Sequence, residues 1–284
     1  MDKFSLLQFT ALLKREVLEH RNLFIGAPLV LGLLILVAAI WVATRLPQNQ
    51  IAGGIEYIAG ILDGLSPFDM APFFIVLAVP FMVTLSVCCF IYLLNCLYQD
   101  RKEMSVLFWQ SMPVSNLKTV LSKIVTVVVV APLFYVAIVF CLYVIGMLWI
   151  SLLGITNDVD FVGLGSLFLA SLISLLMIYA SAVIFMLWLF PTVGWVLLFS
   201  AFARQTPILW AVGVFILVGF LEDFIFGSQY LANWADSRGS NLSQYLICDM
   251  QTIAERLFNY DMFIGIVLGS ILIAGAISMR RFTD

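Results

Sequence analysis

The sequence predicts an all-α polytopic membrane protein with six transmembrane helices, and three observations carry that prediction. Hydrophobic residues make up 63% of the 284 residues and charged ones only 11%, a balance no soluble core requires. Apolar runs long enough to cross ~30 Å of hydrocarbon as a helix of about 20 residues recur along the whole chain. These runs are continuously apolar and lack the alternation of a barrel strand, so helix is the form that satisfies their backbone in lipid. One membrane domain over residues 1–284 accounts for this length and leaves little for a separate soluble one.

The first element is Phe4 to Arg21, FSLLQFTALLKREVLEHR, too charged to span. Leu6, Phe9, Leu13 and Val17 recur at helical spacing, which describes an amphipathic interfacial helix with Lys14, Arg15 and Arg21 reaching lipid phosphates. His20, the single histidine, lies beside Glu19 and Arg21 and reads as an ordinary polar residue. The first 21 residues carry seven charged side chains, and the run after them has no clear small-residue cleavage site. The first span is therefore expected to be its own insertion signal.

The six runs are Leu23 to Thr44, Ala71 to Leu97, Leu121 to Leu153, Leu164 to Phe190, Pro207 to Phe226 and Asp261 to Met279. Pro80 and Pro132 fall inside the second and third, where each removes a helix bond and permits a bend. Ser166-xxx-Ala170-xxx-Ser174 and Gly265-xxx-Gly269 are small-residue faces suited to close helix approach, and span hydroxyls such as Thr84, Ser171 and Ser181 bond backbone carbonyls or neighbouring helices. Of the five cysteines, Cys88, Cys89, Cys96 and Cys141 lie in spans as small apolar residues, and Cys248 lies outside with no evident disulfide partner. Pro191 to Arg204 follows the fourth span and is expected to turn the chain into the fifth, as a short surface helix broken off by Pro191, with Gly194 allowing close packing. Residues 227–260 form the longest connection, mixing aromatics with turn residues, either as short helices dipping back into the membrane or as a cap on the outer face.

Orientation follows from the cations. With the start of the chain in the cytoplasm, eleven Lys and Arg fall on the inner side, and Arg45, Arg238 and Arg256 fall outside. That bias favours six spans with both ends inside, and the membrane expected is of the bacterial cytoplasmic type. Several chemistries are absent. None of the five lysines follows a glycine, so the chain contains no P-loop, and one histidine permits neither an HExxH site nor a His-based metal cluster. No catalytic residue, cofactor or metal is expected on this chain, and no nucleic acid among its partners. Glu222 and Asp223, near the outer end of the fifth span, are the evident carboxylates for an ion-coupled path, or else a boundary pair in water.

The connection between the second and third spans, residues 98–120, together with the first residues of the third span gathers Arg101, Lys102, Lys118 and Lys123 around Phe108, Trp109 and Pro113. MSVLFWQS is long enough for about two helical turns, and its Val106, Leu107, Phe108 and Trp109 present more apolar surface than a solvated loop requires. Pro113 stops that helix, and Ser115 can cap the next. Such an element suits a mechanical contact with a soluble partner; lying flat on lipid is the alternative.

The Arg-Lys-Glu start, the short helix, then PVS and LSK leading into a span resemble the cytoplasmic loop of ABC type 2 exporter permeases, as does the opening LLKREVLEHRNLF. The family's loop commonly carries a glycine-threonine-leucine-glutamate variant before Pro-x-Ser, and MSVLFWQS departs from it in lacking the glycine and second glutamate. The resemblance implies a permease that dimerises with a second permease chain, each half resting on a separate P-loop ABC ATPase that binds ATP and Mg. It implies a cytoplasmic coupling helix from Glu103 through Ser115, including Val106, Leu107, Phe108, Trp109, Met112 and Pro113. The connecting helix lies within residues 1–22, with Lys14, Arg15 and Glu16 facing the ATPase. Phe81, Thr84, Phe215 and Leu221 become path or gate residues along the dimer interface, with membrane lipids around them and an amphiphile as the favoured cargo. A membrane scaffold that transports nothing and an ion-driven secondary transporter are the competing readings.

Overall fold

The computed structural model describes residues 3–102, 115–156, 163–203, 205–241 and 252–282, and among them every regular element is a helix. The helices are α1 (Lys3–Glu19), α2 (Asn22–Arg45), α3 (Gln48–Leu62), α4 (Pro67–Lys102) and α5 (Asn116–Thr156). After them come α6 (Leu164–Trp188), α7 (Phe190–Phe202), α8 (Pro207–Phe226), α9 (Tyr230–Ser240), α10 (Ile253–Leu257) and α11 (Tyr260–Phe282). Six of these, α2, α4, α5, α6, α8 and α11, are long and apolar enough to cross a membrane, which makes the chain multi-pass in kind. Each contains one of the six apolar runs or all but its last residues. α3 corresponds to no run in the sequence; it is a 15-residue helix that buries Ile55 and Leu62.

Both α2 and α5 contain one π-helical turn, Asn22–Gly26 and Thr126–Val130. Each ends two residues before a proline, Pro28 and Pro132. The widened turn relieves the clash between a proline ring and the carbonyl four residues back. The bend expected at Pro132 therefore takes the form of a π turn.

The chain divides into two compact units: Met1–Arg21, Ser86–Ala131 and Ser181–Asp284 form one, Asn22–Leu85 and Pro132–Ala180 the other, so that α4, α5 and α6 each contribute to both. In the second unit Leu62 and Met70 pack with Leu167 and Ala170 of the small-residue face. Tyr135 there donates to the Leu23 carbonyl at 3.2 Å, and Tyr143 to the Phe74 carbonyl.

The first unit corrects the expectation for Pro191 to Arg204. This stretch is no surface turn: α7 is a 13-residue helix that buries Pro191, Val193, Gly194, Val196, Leu197, Phe199, Ser200 and Ala201. The break falls at Leu189, and Pro191 sits in the first turn of α7, where its missing N–H costs nothing. α11 covers α7. A Cβ on Gly194 would stand 2.6 Å from the Gly269 carbonyl oxygen, and one on Gly269 would stand 2.6 Å from the Phe190 carbonyl oxygen. Only paired glycines let two backbones approach this closely.

Candidate functional site

In the first unit, four charged side chains from four helices meet in a buried cluster. Lys123 of α5 donates to the Glu16 carboxylate of α1 at 3.0 and 3.2 Å and lies 3.3 Å from Asp100 of α4. Arg280 of α11 stands 3.6 Å from the same Asp100 oxygen. All four residues are buried. Tyr92 donates its hydroxyl to Glu16 at 2.7 Å, and the His20 ring meets the Tyr92 ring edge-on at 4.8 Å. Two cations and two anions make the cluster neutral, the condition under which such burial is tolerated. Burial alone would raise the Glu16 pKa, but the Lys123 ammonium and the Tyr92 hydroxyl outweigh it and hold the carboxyl below its ordinary value.

α1 docks through residues four apart: Gln8, Leu12, Glu16 and His20. Gln8 accepts from Lys118 of α5 at 3.2 Å, and Leu12 is buried. Leu6, of the stripe Leu6, Phe9, Leu13 and Val17, is 48% exposed. The packing stripe contains two polar groups and one charge, so an apolar pattern could not reveal it. Lys14 is exposed and Arg15 is half-buried beside Glu19 at 3.2 Å. Glu16, expected to face a partner, instead has its carboxylate committed inside the unit.

α4 and α5 flank residues 103–114, and their adjoining ends are tied down separately. Arg101 donates to the Ala201 carbonyl at 2.8 Å and also to the Ala203 carbonyl, capping α7. The Ser200 hydroxyl donates to the Leu94 carbonyl at 2.8 Å and accepts from the N–H groups of Leu97 and Tyr98. On the other flank Ser115 is the N-cap of α5, its hydroxyl accepting from the Lys118 N–H at 3.3 Å. Glu103, Val106, Leu107, Phe108, Trp109, Met112 and Pro113 lie outside the described residues.

An apolar cavity of about 560 Å³ opens between α6, α7, α8, α9 and α11, within the range of small-molecule sites. Phe215 lines it, edge-on to Trp195 at 6.2 Å. Leu221 is exposed and is not part of that lining. Phe81 is buried in the second unit, and Thr84, also there, donates to the Pro80 carbonyl at 2.8 Å. The four residues named as a path are thus not gathered at the cavity. Arg238 is the charged residue of the lining, its guanidinium 4.3 Å from the centre of the Trp188 ring and 4.8 Å from that of Trp234.

Glu222 and Asp223 have local structural partners. Glu222 accepts from the N–H groups of Tyr230 and Leu231 at 2.7 and 3.0 Å, capping α9, while Gln229 donates to Asp223 at 3.3 Å. Among the described residues no group of three or more His, Cys, Asp or Glu could hold a metal ion. No family model matches the chain, and no curated protein or solved structure matches it.

Proposed function

We propose that this chain is the membrane-spanning permease subunit of an ATP-driven exporter of the ABC type 2 kind. It pairs with a second permease chain and is driven by separate P-loop ABC ATPase subunits that bind ATP and Mg. Its loop 103–114 and helix α1 face the cytoplasm, and the membrane is of the bacterial cytoplasmic type.

The observation that supports this reading is the fastening of both ends of the 103–114 connection. Asp100 and Lys123, one on each flank, join the same buried cluster with α1 and α11, and Arg101 grips the end of α7. Separating a buried ion pair costs about 3–5 kcal/mol. A push on residues 103–114 therefore carries α1, α4, α5 and α11 together instead of letting them slip. This is what a subunit with no P-loop needs if its work is generated elsewhere. The local capping role of Glu222 weighs against the ion-driven alternative.

The test is purification from the native host in mild detergent, with identification of what accompanies the chain, repeated with Phe108→Ala and Trp109→Ala combined. A P-loop ATPase that comes with the natural chain and is lost from the double variant is the expected result. A folded chain that brings no ATPase overturns the proposal.

A further inference from the structure

The lining of the apolar cavity is graded along α11. At one end Arg238 donates to the Asp261 carbonyl, in the first turn of the span, and to the Trp188 carbonyl. At the other lie Leu268 and Leu272, seven and eleven residues beyond Asp261, which at 1.5 Å per residue is ~10 and ~17 Å deeper along the helix. Two of the three indole N–H groups add little polarity, because Trp188 donates to the Arg238 carbonyl at 3.3 Å and Trp195 to the Ala211 carbonyl at 3.0 Å. The Arg238 guanidinium, the Trp234 indole N–H and the Thr192 hydroxyl are the other polar side-chain groups of an otherwise apolar wall.

A polar solute would lose its hydration here and recover little of it. An alkyl chain loses nothing and fills the volume. Arg238 supplies positive charge at the end of the cavity next to the start of the α11 span, held by two indole faces in the Trp-rich setting that marks a membrane–water boundary. Gly265 makes room for it: a Cβ at that position would collide with the guanidinium.

We propose that this cavity binds an anionic amphiphile drawn from the surrounding bilayer, its headgroup at Arg238 and its alkyl chain running along Leu268, Leu272, Trp195 and Phe215. α6, α8 and α11, three of the helices that line the cavity, are long and apolar enough to span a membrane, so the bilayer is the direct source, and the single charge of the lining sets the sign of the headgroup. The site is independent of the ATPase-coupled reading: a chain that coupled to nothing would hold the same ligand, and loss of a co-purifying ATPase would not touch it.

The test uses the full chain in phosphatidylcholine nanodiscs and follows tryptophan fluorescence. The probes are a long-chain carboxylate brominated on its chain and a brominated alkyltrimethylammonium of equal length. Trp188, Trp195 and Trp234 line the cavity, so an occupant quenches them saturably. The carboxylate is expected to saturate at about tenfold lower concentration than the ammonium, the scale of one charge-assisted hydrogen bond. Ala235→Phe, which places a ring in the cavity beside Arg238, should weaken the saturable phase; Arg238→Gln should remove the preference, and Arg238→Lys should keep most of it. Equal quenching of the natural chain by the two probes, or a saturable phase unchanged in Ala235→Phe, overturns the proposal. Neither of these depends on the Arg238 variants folding.

Discussion

Burying Glu16 is tolerable only while Lys123 stands charged beside it, so the docking of α1 is linked to pH. The Glu16 carboxyl is held below its ordinary 4.5, so the undocked helix binds a proton more readily than the docked one. That stability is present above pH 4.5 and is lost as pH falls through the lowered value. His20 acts in the same direction. Burial lowers its pKa below the ordinary 6.5, with Glu16 opposing and Lys123 assisting, so protonation favours release of α1 as pH drops below 6.5. A fluorescent label at Leu7, which is 67% exposed, should report α1 loosening in two steps on acidification, the His20 step disappearing in His20→Gln. Glu16→Gln leaves Lys123 and Arg280 with Asp100 as the one remaining anion of the cluster and should cost about 3–5 kcal/mol in thermal unfolding.

At the scale of elements, contacts no larger than one hydrogen atom decide what packs on what. Gly269→Ala would drive a methyl group into the backbone of α7 near Phe190, so one of the two helices must shift. The expected cost is about 1–3 kcal/mol, read as a lowered unfolding temperature in detergent, whereas Gly213→Ala, with nothing within 4 Å of the added carbon, should be nearly neutral. Glu222→Gln should weaken the start of α9 by about 1 kcal/mol through loss of a charged cap. If transport activity is measured for the chain with its ATPase, Glu222→Gln combined with Asp223→Asn should leave its response to an ion gradient unchanged, since both carboxylates have structural partners. Abolished transport in a correctly folded double variant would restore the ion-driven reading.

For the whole molecule, the legibility of the sequence divides by range. Helix α8 coincides with the run Pro207 to Phe226, and α6 stops two residues short of its run because Leu189 breaks the helix. Spans could be found because an apolar length matching the bilayer is a property of consecutive residues. The N-cap role of Ser115 was legible for the same reason: cap and capped N–H lie three residues apart. The docking face of α1 was not, because it mixes Gln8, Leu12, Glu16 and His20 and only its partners make it a face. The burial of α7 was not legible either, because the surface that covers it belongs to α11, about 70–80 residues further along.

The sequence by itself determined that this is a helical chain with six segments able to cross a membrane, no P-loop, and an aromatic, cation-flanked connection between the second and third. Each of these depends on composition within a short window, where hydration and backbone satisfaction act locally. Only the tertiary structure decided that Glu16, Asp100, Lys123 and Arg280 form one neutral buried cluster, that α7 lies inside the first unit, and that Arg238 and three tryptophans line one apolar cavity. Those groups are separated by up to 264 positions in the chain, and a charge or an indole carries no mark of its partner until folding removes the water between them.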